Sequence, residues 1–368
     1  MQRYTINQEV EACLKFIKWQ GYSLRHKYQV LKKLGSFSAV LNLNVGQWET
    51  LVSRRLNNQQ LPVQSNIASD LAWLNHPDNH FLTIFDEGYP NALKRLVDPP
   101  LGLYVQGECS ALNSLQLAIV GSRRQTPVGK KIASQFAYGL SELGITVTSG
   151  LALGIDASAH SAVCEVKGKT VAVLGSGLDT IYPRQNKQLA KMIQANGCLV
   201  SEFPIGTPPR KENFPARNRV IAGLSLGVLV IEAAKRSGSL ITARLALEQG
   251  KEVFAVPGSI LSPQSSGCNY LIKQGAVLVQ NLDDILFELQ LPLTNKNHVF
   301  EEQKIESMTN CKRQNCQVLM SIDFESTSID RLMQRTELKF HVLSKRLLEL
   351  ELEGLIERAH NGDYFRLT

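Results

Sequence analysis

Apolar residues recur at two different periods along the chain, and the change from one to the other divides it. Early on they return at helical spacing, at Val10, Leu14 and Ile17 and again at Val30, Leu31 and Leu34, with Gly35-Ser36 and Gly46 as punctuation. This predicts a helical module over 1–80. Pro77-Asp78-Asn79 ends it, and a short extended piece at 81–84 leads to Pro90, Pro99 and Pro100. Near Leu115 the pattern changes. Short β-branched runs at 117–120, 145–148, 170–174, 198–201, 227–231, 252–256 and 276–279 now alternate with helical stretches at 130–143, 156–164, 186–196 and 239–249. Strands that alternate with helices predict an α/β fold with a doubly wound parallel sheet. Nearly all-apolar strands are what helices on both faces require.

Residues 291–312 are polar and aperiodic and read as a linker. Beyond them, helices are expected at 317–321, 328–336 and 339–353, with Gly354 as the stop of the third. Residues 355–358 and 361–366, joined through Asn361-Gly362, read as a hairpin. Three helices and a hairpin over 313–368 make a winged helix.

Composition excludes several classes. With 368 residues, 43% hydrophobic and 20% charged, the chain suits two or three packed domains and not general disorder. No apolar run approaches the ~18 residues of a membrane span. The first thirty residues carry Glu9, Glu11 and scattered Lys without an apolar signal core, so the expected compartment is the cytoplasm. Seven cysteines without a CxxC, with Cys311 and Cys316 as the nearest pair, predict no structural zinc, and no metal or cofactor is expected. Lys and Arg number 40 against 33 Asp and Glu, a net +7 that matters only through where it sits.

In an open parallel sheet ligands bind beyond the carboxyl ends of the strands. The segments there are Gly121-Ser122-Arg123-Arg124, Ser149-Gly150-Leu151, Gly175-Ser176-Gly177, Glu202-Phe203-Pro204, Glu232-Ala233-Ala234 and Pro257-Gly258-Ser259. A rim of glycine turns, each before a helix start, suits phosphate. The 121–131 stretch has the wrong spacing for a Walker loop, and Thr180 stands where a dinucleotide fingerprint needs glycine, so nucleotide hydrolysis and NAD binding are disfavoured. Basic residues gather on the same edge. Arg123, Arg124, Lys130 and Lys131 fall in eleven residues without an acid, and 184–219 holds seven basic groups against Glu202 and Glu212. Phe214-Pro215 lies among them in a Pro-rich stretch that reads as a loop. Cations around an aromatic platform suit single-stranded nucleic acid, the charges tracking phosphates and the ring stacking on a base. A solvated basic loop over a core phenylalanine would leave the same residues. Catalytic constellations are thin. Asp156 reads as a helix cap and His160 as a half-buried helix residue, while Glu232 suits either a base or a partner for a loop amide.

The blocks 118–123, 149–160, 172–179 with Tyr182-Pro183, 214–224, 232–243 and 256–259, in this order, resemble the DprA/Smf family, the DNA-processing proteins of bacterial natural transformation. The resemblance covers about 81–290 and implies an extended Rossmann-like domain there, flanked by a SAM-like helical start over 1–80 and the winged-helix finish. It implies a non-enzymatic homodimer that binds and protects incoming single-stranded DNA and loads RecA onto it. Carried onto this sequence, the DNA contacts are Gly121, Ser122, Arg123, Gly150, Gly177, Arg184, Lys211, Phe214, Arg217 and Asn218, with glycine amides on phosphates, and the dimer contact is Leu271, Ile272 and Leu278. The alternative from another class is a LOG-like nucleoside-monophosphate hydrolase with Glu232 at the glycosidic bond. For the winged helix, Glu349, Glu351 and Glu353 offset Lys345 and Arg346, which favours protein docking over duplex reading.

Overall fold

The apolar runs become strands because a sheet covered on both faces leaves them no wet side. In the computed structural model, which describes residues 7–53, 61–62, 65–291, 313–324, 326–359 and 362–367, they form β3 (Gln116–Gly121), β4 (Thr146–Ser149), β5 (Thr170–Val173), β6 (Cys198–Ser201), β7 (Gly227–Ile231), β8 (Glu252–Ala255) and β9 (Val277–Leu278). All seven pair in parallel. Two further strands, β1 (Asn79–Thr83) and β2 (Gly102–Gly107), pair antiparallel with each other, and β2 pairs antiparallel with β6. The sheet has nine strands in the order β1-β2-β6-β5-β4-β3-β7-β8-β9. The doubly wound fold therefore carries an antiparallel hairpin at one margin. The piece at 81–84 foreshadowed β1, while the Gly102–Gly107 strand is not among those the sequence pattern predicts.

The chain runs outward from β3 through β4 and β5 to β6, then crosses back through the Asn213–Leu224 helix to β7 on the other side of β3. The strand order thus reverses between β3 and β7. Fully buried Leu117, Ile119, Leu229 and Ile231 from these two strands meet Phe136, Leu140 and Ile155 from the covering helices. Each such side chain contributes about 1.5–3 kcal/mol on burial, which anchors the switch point in a packed core.

The N-terminal helices do not form a detached lobe. Phe16, Phe37 and Trp48 belong to the same buried cluster as Phe81, Leu103 and Tyr104 of the hairpin. Tyr104 donates its hydroxyl to Asp70 at 2.8 Å, and Asp70 also pairs with Lys18. The Lys27 ammonium is buried and donates to the carbonyls of Phe16, Ile17 and Trp19, which closes the end of the Gln8–Lys18 helix. The C-terminal module has its own core of Val318, Leu332, Leu343, Leu347, Leu350 and Ile356. Its helices are Arg313–Ser321, Ile329–Thr336 and Phe340–Leu352, and β10 (Ile356–Arg358) pairs antiparallel with β11 (Tyr364–Arg366). Gly354 stops the third helix at φ +70, as its position required. Of the linker expected over 291–312, all but residue 291 lies outside the described residues, as does Asn361 of the expected turn. No helix among the described residues is long and apolar enough to cross a membrane.

Candidate nucleic-acid interface

At the carboxyl ends of β3 and β7, where the strand order reverses, the sheet opens into a cleft of about 460 Å³. This is where splayed crossovers leave a crevice in doubly wound sheets. Its walls are Gly121, Arg123, Ala152, Asp156, Lys211, Phe214, Arg217, Asn218 and the 237–239 turn. A smaller pocket of about 50 Å³, lined by Arg123, Gly150, Leu153, Tyr182 and Phe214, adjoins it on the β4–β5 side.

Phe214 is the centre of the arrangement. Phe214 and Pro215 do not lie in the loop that the nearby prolines suggested, because both fall in the first turn of the Asn213–Leu224 helix. Proline is tolerated in a first turn, where its missing N–H has no helical acceptor. The ring has the Arg123 guanidinium at 5.4 Å and the Arg217 guanidinium at 5.9 Å from its centroid. The Tyr182 ring stands 5.9 Å away, tilted by 39°, and Tyr182 is 43% exposed. Arg123, Lys211 and Arg184 are exposed, so three cations can reach a polyanion around a partly open aromatic pair. Tyr182 was present in the sequence only as a neighbour of Pro183, and its stacking partner is thirty-two positions away.

Below this surface lies a second layer with a different chemistry. Arg217 is 5% exposed and donates to the Gly150 carbonyl and, at 2.6 Å, to the Val173 carbonyl. It therefore ties together the ends of β4 and β5 and is not an open phosphate contact. Burial lowers its pKa to about 10. Asp156 sits beside it, and burial raises this carboxyl against the opposing pull of Arg217. Asp156 is not a helix cap, since its carboxylate turns back to accept from the Gly150 and Ala152 amides at 3.1 and 3.4 Å. His160 is fully buried, with Nδ1 2.7 Å from the Thr170 hydroxyl, and burial lowers its pKa to about 3. Asn218 lines the cleft with its Oδ1 accepting from Arg217 at 3.1 Å.

The glycine rim needs correction for the same reason. The Gly150 amide is taken by Asp156, and the Gly177 amide donates to Thr207 at 2.9 Å, so neither is open to a phosphate. Gly121 lines the cleft, but what demands glycine there is packing, because a Cβ would overlap the Ile231 carbonyl and the Ile155 side chain. The Ser122 hydroxyl is buried between the Arg124 amide and the Gln264 side chain, where it shapes the turn. Glu232 accepts from both the amide and the hydroxyl of Thr126, at the cap of the Pro127–Glu142 helix. The loop-amide reading of Glu232 is the one observed. Among the described residues no cluster of His, Cys, Asp or Glu is arranged to hold a metal.

The residues expected at a dimer contact do not all reach the surface. Leu271 is buried against the sheet by the Ser266–Lys273 helix, Ile272 is half-buried, and Leu278 on the edge strand β9 is 44% exposed. A helix that packs Cys268 and Leu271 inward cannot also offer Leu271 outward.

Comparison with known proteins fits this geometry. The model of the DNA recombination-mediator protein A family matches residues 80–290, and that of the DprA winged helix domain matches 313–362. Protein Smf of Escherichia coli K12 is 45% identical over 83% of this chain and 82% of its own length. DNA processing protein A of Streptococcus pneumoniae superposes with a TM-score of 0.66 at 35% identity, covering 78% of this chain and 99% of that one. The structure describing the single-stranded DNA binding mode of DNA processing protein A from Helicobacter pylori superposes at 0.53 with 34% identity, covering 57% of this chain and 96% of that one. The chain, with a cation-flanked aromatic cleft at the switch point of its extended sheet and a winged helix after it, belongs to the DNA recombination-mediator protein A (DprA/Smf) family.

Proposed function

We propose that the protein binds single-stranded DNA along the carboxyl lip of its sheet, shields it, and acts as a homodimer that delivers the strand to RecA. The observation that carries the reading is the Phe214 ring with the Arg123 and Arg217 guanidinium groups within 6 Å of its centroid, beside Tyr182 and exposed Lys211. A duplex buries its base faces, so an aromatic platform is useful only to an unpaired strand. Arg123, Arg184 and Lys211 would track phosphates, Phe214 would stack on a base, and Asn218 and Gly121 would line the floor. Such contacts carry no base code, so sequence preference should be weak. That also suits a protein that must release any sequence to a recombinase. The dimer contact would use the β9 edge with Ile272 and Leu278.

The deciding experiment is a mobility shift with matched single- and double-stranded oligonucleotides at two salt concentrations. The expected result is a shift of the single strand alone that weakens as salt rises. Equal affinity for duplex would overturn the reading. Capture of RecA only in the presence of bound strand would support delivery, and light scattering before and after Leu278→Asp tests the homodimer.

A further inference from the structure

The lip extends beyond the cleft, and so does its chemistry. We propose that the bound strand continues past Phe214 across the ends of β7 and β8, with phosphates on Lys235 and Arg236 and bases on Ile260 and Leu261. This rests on the single-stranded DNA reading above.

Lys235 and Arg236 occupy the turn after β7, both exposed, directly before the 237–239 residues that wall the cleft. Neither makes an ion pair with another described residue. The turn is held in shape by a 2.7 Å bond between the Ser237 and Ser239 hydroxyls. One strand further on, the loop after β8 exposes Ile260 by 91% and Leu261 by 83%. This loop is tied down at its base. Asn269 donates to the Gly258 carbonyl at 2.9 Å and accepts from the Gly258 amide at 3.3 Å, and the Ser259 hydroxyl accepts from the Leu261 amide at 3.2 Å. Gln264 accepts from Ser122 at 3.2 Å, which links the loop to the turn that carries Arg123. Two large aliphatic side chains are thus held out in water on a braced loop, next to the cationic lip. Grouped exposed apolar side chains of this kind mark a binding surface.

Charge selects the occupant. Residues 253–282 contain no Asp or Glu, and 233–239 contain none either. A surface of lone cations and aliphatic side chains without acids matches a polyanion with apolar faces. Neighbouring strands lie about 4.8 Å apart, so the step from β3 to β8 is about 10 Å and from β5 to β8 about 19 Å, which extends the footprint by more than one nucleotide.

The test measures affinity of the full chain for a single-stranded oligothymidylate across a salt series. The Lys235→Gln/Arg236→Gln variant should flatten the slope of log K against log salt by about 1.4, or ~0.7 for each phosphate lost. Ile260→Ser/Leu261→Ser should weaken binding at every salt concentration and leave the slope unchanged. Arg123→Glu is the reference for the cleft. If Arg123→Glu binds like the wild type, the underlying reading fails. If Arg123→Glu weakens binding while Lys235→Gln/Arg236→Gln keeps both wild-type slope and affinity, the extension is overturned. If Ile260→Ser/Leu261→Ser changes the mass of the DNA-free protein, the loop is a protein contact and its role toward bases is overturned.

Discussion

Arg123 and Arg217 flank the same phenylalanine ring at 5.4 and 5.9 Å, yet they do opposite work. Arg123 follows a strand end on an exposed turn and has no carboxylate partner among the described residues. Arg217 comes up from beneath on a helix, is almost fully buried, and gives its donors to two strand-end carbonyls. The upper cation is free for a ligand, while the lower one satisfies carbonyls at the ends of β4 and β5. An exposed guanidinium can exchange water for phosphate with little reorganisation, whereas a buried one is committed to the groups that justified its desolvation. The cleft is therefore two layers, a working surface and a brace, and substitutions in each should differ in kind.

Arg217→Ala should have the largest effect on the fold. It strands Asp156 and two carbonyls in the interior, and losing one member of a buried charged network costs about 3–5 kcal/mol. The urea midpoint should fall accordingly. Arg217→Lys should rescue poorly, because a single ammonium does not reproduce the planar fork. An unchanged midpoint would place Arg217 in the working surface and dissolve the distinction.

The brace should also fail in acid while the surface does not. His160 has a folded pKa of about 3, below the 6.5 expected when unfolded, so the unfolded chain binds the extra proton between these values. Stability should fall as pH drops through that window, by up to about 1.4 kcal/mol per pH unit from this group. Asp156 works the other way at the acidic end. Burial raises its carboxyl, so it favours the fold at low pH and loses that contribution as pH rises through its folded pKa. His160→Gln should flatten the pH dependence of the melting temperature between these limits, and a profile identical to wild type would show that His160 titrates normally.

Phe214→Ala divides its effect between the layers. It should cost about 1–3 kcal/mol of affinity for single strands, the range for one base stacked on an aromatic ring. The loss should be similar for thymidylate and adenylate tracts, since every base has a π-face. A loss confined to one base would turn the platform into a reader of sequence.

What the sequence disclosed follows the same division. The alternation of apolar runs and helices disclosed the parallel sheet and its carboxyl lip, and the family resemblance singled out Arg123, Arg184 and Lys211 in the basic stretches beyond the strand ends. Periodicity reports which face of an element is wet, and these residues lie in the connections between strands and helices. It did not disclose the brace. The prolines at 208, 209 and 215 masked the Asn213–Leu224 helix, so Arg217 looked like one more loop cation. The carbonyls it holds follow β4 and end β5, a proximity that exists only after the crossover has formed. Glycine was misleading for a related reason. Gly150 and Gly177 are needed where protein packs against protein, since a Cβ on Gly150 would meet Arg217 and one on Gly177 would meet the Pro204 carbonyl, and composition alone does not separate that from ligand approach. Lys235 and Arg236 were legible as residues, but nothing in the pattern placed them beside Arg123 until the order β3-β7-β8 was known.

The smallest effect on folding, and the sharpest contrast with Arg217, should come from charge reversal in the working surface. Arg123→Glu, Arg184→Glu and Lys211→Glu each change an exposed side chain, so stability should stay within about 0.5 kcal/mol of wild type. Each should nevertheless weaken single-strand binding and flatten the salt dependence by about 0.7 in slope, because one phosphate contact and its released counterion are lost. The pair of measurements matters more than either alone. A surface cation that lowers affinity without moving the urea midpoint touches the ligand, and one that moves the midpoint holds the site in place. If Arg123→Glu were to destabilise the fold as much as Arg217→Ala, both cations on the ring would be core contacts, and the lip would have no free face to offer a strand.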